Sequence, residues 1–174
     1  MTPTEIWGPE LYGDPCRQCG FDWSISTEDA IGIVAGFSHR FTELLGENAG
    51  SISHPELSWS AAAYVSHVAD NLWIWAQRLS GARLSGVLEV PGYDQDLLAQ
   101  ARNYNENSTG AALWALSTAS DLWQESVNAA LAGHVVLNHA TVGRMTTADV
   151  IRAASHDGNH HVWDVERIVA YSKA

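Results

Sequence analysis

Residues 155–164, SHDGNHHVWD, bring His156, His160 and His161 together with Asp157 and Asp164. Imidazole nitrogens and carboxylate oxygens are the usual protein ligands of a catalytic zinc or a similar divalent ion. On a helix, side chains four residues apart stand on adjacent turns, so Asp157 with His161, or His156 with His160, can hold one ion between them. At helical 100° steps, Asp157 and His161 fall on the face that carries Val150, Ala154, Val165 and Ile168, with Asp164 at its edge. His156 and His160 lie toward the opposite side with Asp149 and Arg167. Two pairs therefore compete, and the apolar face favours Asp157 and His161. A third ligand must come from another helix, and His67, beside Asp70 and Asn71, offers one. Asp164, one turn beyond His161, is placed to orient a ligand or to hold a metal-bound water. The plainer reading is a set of hydrogen-bonded core histidines, or a solvated His-rich helix face.

Cys16 and Cys19, followed by Gly20, have the spacing of half a zinc knuckle, but the chain has no second Cys pair. They read either as reduced thiols without a role or as part of a zinc site completed by histidines such as His39 or His54, or by a second subunit. A redox dithiol ranks last, because the βαβ context of such motifs is absent. His39, His54, His134 and His139 otherwise read as surface or loop residues. Arg78, Arg83, Arg144 and Arg152 could grip a substrate carboxylate, although surface charge is the favoured reading. Most of the eight Trp read as packing area, with Trp163, two residues from His161, a candidate pocket wall.

Four amphipathic segments must position these residues. Ser26 and Asp29 form a start signal, and Ile33, Val34, Phe37, Phe41, Leu44 and Leu45 recur at helical spacing until Gly46. Ser58 or Ser60 caps a second helix, whose stripe of Tyr64, Val65, Val68, Leu72, Trp75 and Leu79 runs to Gly81. Gly81 to Asn107, with Gly86, Pro91 and Gly92 and one short helix in DQDLLAQAR, is a long connection of the kind that crosses a bundle. A third helix lies between Ser108 and Gly133, and a short extended excursion follows in HVVLNHATVGR. Thr146 with Asp149 repeats the start signal for a fourth helix over 147–171. The reading is an all-α four-helix bundle with a long crossover between helices two and three, spanning 26–174, preceded by an irregular arm over 1–25 that carries the CxxC.

The 174 residues are 46% hydrophobic and 17% charged, which excludes a disordered chain. With 9 basic against 20 acidic residues, the net charge of −11 opposes nucleic-acid binding. No apolar run is long enough for a membrane span, and the N-terminus lacks a signal-peptide pattern, so a cytoplasmic protein is expected.

SAAAYVSHVADNLWIWAQRL on helix two and HDGNHHVWDVERI on helix four resemble the DinB superfamily of metal-binding four-helix bundles. That superfamily includes bacillithiol transferases and the N-terminal domain of mycothiol-dependent maleylpyruvate isomerase. The resemblance covers about Ser26 to Tyr171, and CRQCGFD with YDQDLLAQAR further resembles an actinobacterial branch. It implies a divalent ion, zinc or nickel, with one ligand from helix two, at His67, and two from helix four. His161, followed by Asp164, matches the second of these. The first falls on Asp157, where the family usually has His or Glu, leaving His156 and His160 as fallback ligands. It also implies that a low-molecular-weight thiol of the mycothiol or bacillithiol type binds the ion as its thiolate and attacks a small electrophile. The expected partners are a small-molecule substrate and, as is common among bundles of this kind, a second copy of the chain in a homodimer. The rival expectation is a non-catalytic binding module with a degenerate metal site.

Overall fold

Each of the four long helices starts where a hydroxyl caps it. Ser26, Ser60, Ser108 and Thr146 accept hydrogen bonds from the backbone N–H groups of Asp29, Ala63, Ala111 and Asp149. These N–H groups would otherwise be without partners in a helical first turn. At Thr146 the Asp149 carboxylate also accepts from the Thr146 N–H, completing a capping box. The computed structural model describes residues 5–46 and 49–173. Residues 1–4 of the expected arm, Glu47, Asn48 and Ala174 lie outside the described residues.

In chain order the elements are α1 (Pro9–Tyr12), α2 (Thr27–Leu45), α3 (Ala61–Ser85), β1 (Glu89–Val90), α4 (Gln95–Ala101), α5 (Thr109–Ala132), β2 (Val136–His139), β3 (Gly143–Thr146) and α6 (Thr147–Tyr171). A 3₁₀ turn at Tyr104–Glu106 precedes α5. Helices α2, α3, α5 and α6 form the bundle, with α3 packed on α5 and α6, and α2 packed on α6 and α5. Phe37, Phe41, Leu72, Leu79, Leu116, Trp123, Ile151 and Ile168 are its largest fully buried apolar side chains. The connection from α3 to α5 runs through β1 and α4, which is the crossover expected from its Gly and Pro content. The extended excursion is a β2–β3 hairpin that turns Leu137 and Met145 into the core, with β1 added parallel to β2.

Two local features depart from the pattern in the residues. Helix α3 does not stop at Gly81 but continues one turn to Ser85, where Gly86, at φ 72°, closes it by donating to Ala82 O. A helical glycine costs only about 1 kcal/mol relative to alanine, and burial of Ala82 offsets that loss. The N-terminal arm is not wholly irregular. It contains α1, and Cys16, Phe21 and Trp23 bury themselves in a small core of their own beside Trp7, Tyr12 and Ile33.

Helices α2 and α6 approach closely at Gly158. A Cβ there would stand 2.2 Å from the Phe37 ring, so only glycine fits. This contact fixes the rotation of α6, sending Asp157 and His161 toward α3 and His156 and His160 toward the arm.

Candidate metal centre

The first half of α3, from Ala61 to Ala69, is buried on every side, and His67 is 1% exposed within it. Its Nε2 stands 3.6 Å from Asp157 Oδ2, and His161 Nε2 stands 3.7 Å from Asp157 Oδ1. The two imidazole rings are perpendicular, with centroids 4.8 Å apart. One donor atom from each of the three residues lies within 4.8 Å of the others. The two nitrogen–oxygen distances are too long for hydrogen bonds. His67 Nε2 and Asp157 Oδ2 are accordingly buried with no hydrogen-bond partner among the described residues.

Such orphaned atoms are costly unless something else satisfies them. Ligands held about 2.1 Å from a tetrahedral ion are about 3.4 Å from one another. The 3.6 and 3.7 Å separations are close to that spacing, so the donor set fits a divalent ion. Asp157, the shorter side chain at its position, reaches both imidazoles. Burial alone would push its carboxyl up, but His67 and His161 outweigh that and bring it down to about 2.

Asp164 is buried one turn beyond His161, and its Oδ2 lies 3.0 Å from His161 Nδ1. Donation from Nδ1–H to this carboxylate leaves the Nε2 lone pair facing Asp157, the tautomer a metal ligand needs. Burial opposes a proton on His161, yet Asp157 and Asp164 together raise its pKa above the ordinary histidine value.

A cavity of about 270 Å³ opens beside Asp157 and His161, walled in part by Tyr12, Trp59 and Tyr64. The Trp59 ring lies 5.1 Å from that of His67, and Tyr64 lies 5.1 Å from His161. Burial, helped by Asp164, pushes Tyr64 up to about 12, so its hydroxyl stays protonated at neutral pH. Among the described residues, no Arg or Lys lines this cavity.

Other expected residues lie elsewhere. Asp70 accepts from the Tyr104 hydroxyl and pairs with Arg102, so it belongs to the crossover contact and not to the site. Asn71 lies within reach of Tyr93. Arg78 donates to Pro91 O and lies over Trp75, Arg152 donates to Ile25 O, and Arg83 and Arg144 are exposed. Trp163 stacks with Arg167 on the His160 side of α6. His39 pairs with Glu43, His54 abuts Tyr171, His134 is exposed and His139 lies near Trp75.

His156 and His160 correct a simpler picture of a solvated opposite face. The arm covers them, leaving His156 4% exposed, and burial together with His160 pushes its pKa down to about 4. Cys16 and Cys19 meet these two histidines, not His39 or His54.

Tyr12 and Trp59 carried no sequence signal for the site. Each stands outside the four long helices, on the arm or just before a cap, where periodicity is silent. Tyr64 was legible only as part of an apolar stripe.

The chain matches no protein-family model, and no curated protein is significantly similar to it. Among solved structures it resembles YfiT from Bacillus subtilis, described as a probable metal-dependent hydrolase with an unusual four-helix bundle topology. The TM-score is 0.74 at 13% identity, covering 86% of this chain and 91% of that one. At that identity the likeness is one of architecture: the chain has the four-helix bundle fold of YfiT.

Proposed function

We propose that this is a DinB-like metal-binding enzyme whose divalent ion, zinc or nickel, is held by His67, Asp157 and His161. The observation that carries the reading is the pair of buried, unpartnered atoms, His67 Nε2 and Asp157 Oδ2, facing one another at ligand spacing. Three protein ligands leave coordination positions open, which is the arrangement of a catalytic and not a structural site. When bound, the ion supplies a nucleophile at neutral pH by lowering the pKa of a thiol or water.

The residues of the chain do the rest. Asp164 holds His161 in the ligating tautomer. Trp59 and Tyr64 shield the centre from bulk water and give an apolar wall to a small substrate, and the protonated Tyr64 hydroxyl can donate to charge developing on it. The preferred reaction is transfer of a low-molecular-weight thiol of the mycothiol or bacillithiol type to a small electrophile. The sulfur–carbon bond forms as the halide leaves, the epoxide opens or the activated alkene is protonated. Among the described residues no Arg or Lys lines the pocket to pair with a substrate carboxylate, which favours an uncharged electrophile. Hydrolysis is the second reading, favoured by the description of YfiT as a metal-dependent hydrolase.

Metal analysis of purified protein and of its His67→Ala and His161→Ala variants tests the centre. Each variant is expected to lose an equivalent that the parent binds from zinc or nickel. Thiol-transfer and ester-hydrolysis assays on the loaded protein then separate the two reactions. Failure of the parent to bind stoichiometric metal at these residues, or full metal content in both variants, contradicts the reading. A loaded centre inactive in both assays leaves a binding module.

A further inference from the structure

The arm and α6 bring a second donor set together. One ligand atom from each of Cys16, Cys19, His156 and His160 lies within 4.8 Å of the others, although the cysteines and histidines are far apart in the chain. Cys16 Sγ and His160 Nδ1 are 4.0 Å apart, at the outer limit of a sulfur contact. His156 is 4% exposed, and its Nε2 is buried with no hydrogen-bond partner among the described residues. Apolar packing alone does not account for two thiols and two imidazoles converging beneath a covering of rings.

The loop that carries the cysteines has the shape of a knuckle. Cys16 N–H donates to Phe21 O at 2.8 Å, and Gly20 N–H donates to Cys16 O at 2.9 Å. Gly20 takes φ 71°, a left-handed conformation that glycine adopts without strain and that turns the chain directly after the second cysteine. On α6 the histidines are four apart, so one ion can reach both.

We propose that Cys16, Cys19, His156 and His160 form a second, structural zinc site, separate from the centre at His67. The chemistry of the donors selects the ion. Two sulfurs and two imidazoles suit zinc and disfavour magnesium or calcium, and four protein ligands fill a tetrahedral shell, leaving no open position for a substrate. Interleaved pairs on α6 thus serve two ions, with 156 and 160 facing the arm and 157 and 161 facing α3.

The site's role is to fasten the arm. Tyr12 and Trp23 each place a ring 4.5 Å from His156, and Tyr12 also walls the cavity beside Asp157. Zinc at the knuckle therefore holds one wall of the substrate pocket in place.

The test uses the full chain purified under reducing conditions with zinc. Cys16→Ser and Cys19→Ser are each expected to remove one equivalent that His67→Ala retains, and His67→Ala to remove the equivalent that the serine variants retain. Loss in the serine variants alone supports the knuckle while refuting the centre at His67; loss in His67→Ala alone does the reverse. Cobalt-loaded parent and His161→Ala should show thiolate-to-cobalt charge transfer, which should be absent from Cys16→Ser. Since a serine variant can fail to fold, the parent itself is also titrated with a thiol-specific mercurial, and zinc release is read with a chromogenic chelator. Stoichiometric release coincident with thiol modification is expected. No release, unchanged zinc in Cys16→Ser and Cys19→Ser, or a cobalt spectrum without sulfur character overturns the proposal.

Discussion

Asp164 is where a small change reads out the chemistry most cleanly. Its carboxylate touches His161 Nδ1 at 3.0 Å and lies outside the proposed ligand set. Asp164→Asn keeps the shape and removes the charge that fixes the imidazole, so metal affinity should fall by roughly 10- to 100-fold. Competition against a chromogenic chelator measures it, and unchanged affinity would mean that Asp164 only packs. Asp157, His161 and Asp164 were legible as candidates because helical phase and ligand-like spacing acted on one helix, whereas His67 was legible only as a histidine that another helix could offer and through the family resemblance. Tyr12 and Trp59 were not, since their places depend on how the arm and the loop before α3 fold over the bundle. The partners of Cys16 and Cys19 were hidden for the same reason. No local pattern ties a turn at residue 16 to a helix at residue 156.

Helix starts are the most readable part of the architecture. Ser26 with Asp29 and Thr146 with Asp149 mark α2 and α6 through hydrogen bonds made within one turn. The end of α3 was not readable in this way. Gly81 looks like a stop, but the buried Ala82 beyond it carries the helix on to Gly86. An exposed helical glycine with open space at its Cβ should gain from alanine, so Gly81→Ala is expected to stabilise the protein by about 0.5–1 kcal/mol. Gly158→Ala should do the opposite. Its new methyl meets the Phe37 ring in the α2–α6 seam, and overpacking of this kind costs about 1–3 kcal/mol. Urea midpoints of the two variants measure both effects. A stabilised Gly158→Ala would mean that the helices do not approach as closely as described.

Taken as one body, the protein is a bundle whose fourth long helix serves two sets of donors, one toward the interior and one toward the arm. Among the described residues no helix is long and apolar enough to cross a membrane. Ions that bind the folded state and not the unfolded chain raise its stability by mass action, by about 2.7 kcal/mol when free metal is a hundredfold above Kd. For a chain of this size each kcal/mol moves Tm by roughly 2–4 °C. Stripping metal with a strong chelator should therefore lower Tm by several degrees, and restoring zinc should recover it. Hydrogen exchange should rise most in the arm, around Tyr12 to Trp23, if the knuckle fastens it, and at the start of α3 if the inner centre is emptied. A Tm indifferent to chelation would argue against either ion contributing to the fold.

The most direct test of the inner centre is anomalous diffraction at the zinc or nickel edge from crystals of the metal-loaded protein. The account predicts a peak about 2.0–2.2 Å from a nitrogen of His67, a nitrogen of His161 and a carboxylate oxygen of Asp157. A map with ordered metal elsewhere, such as at Cys16 and Cys19, but no peak among these three residues would contradict it.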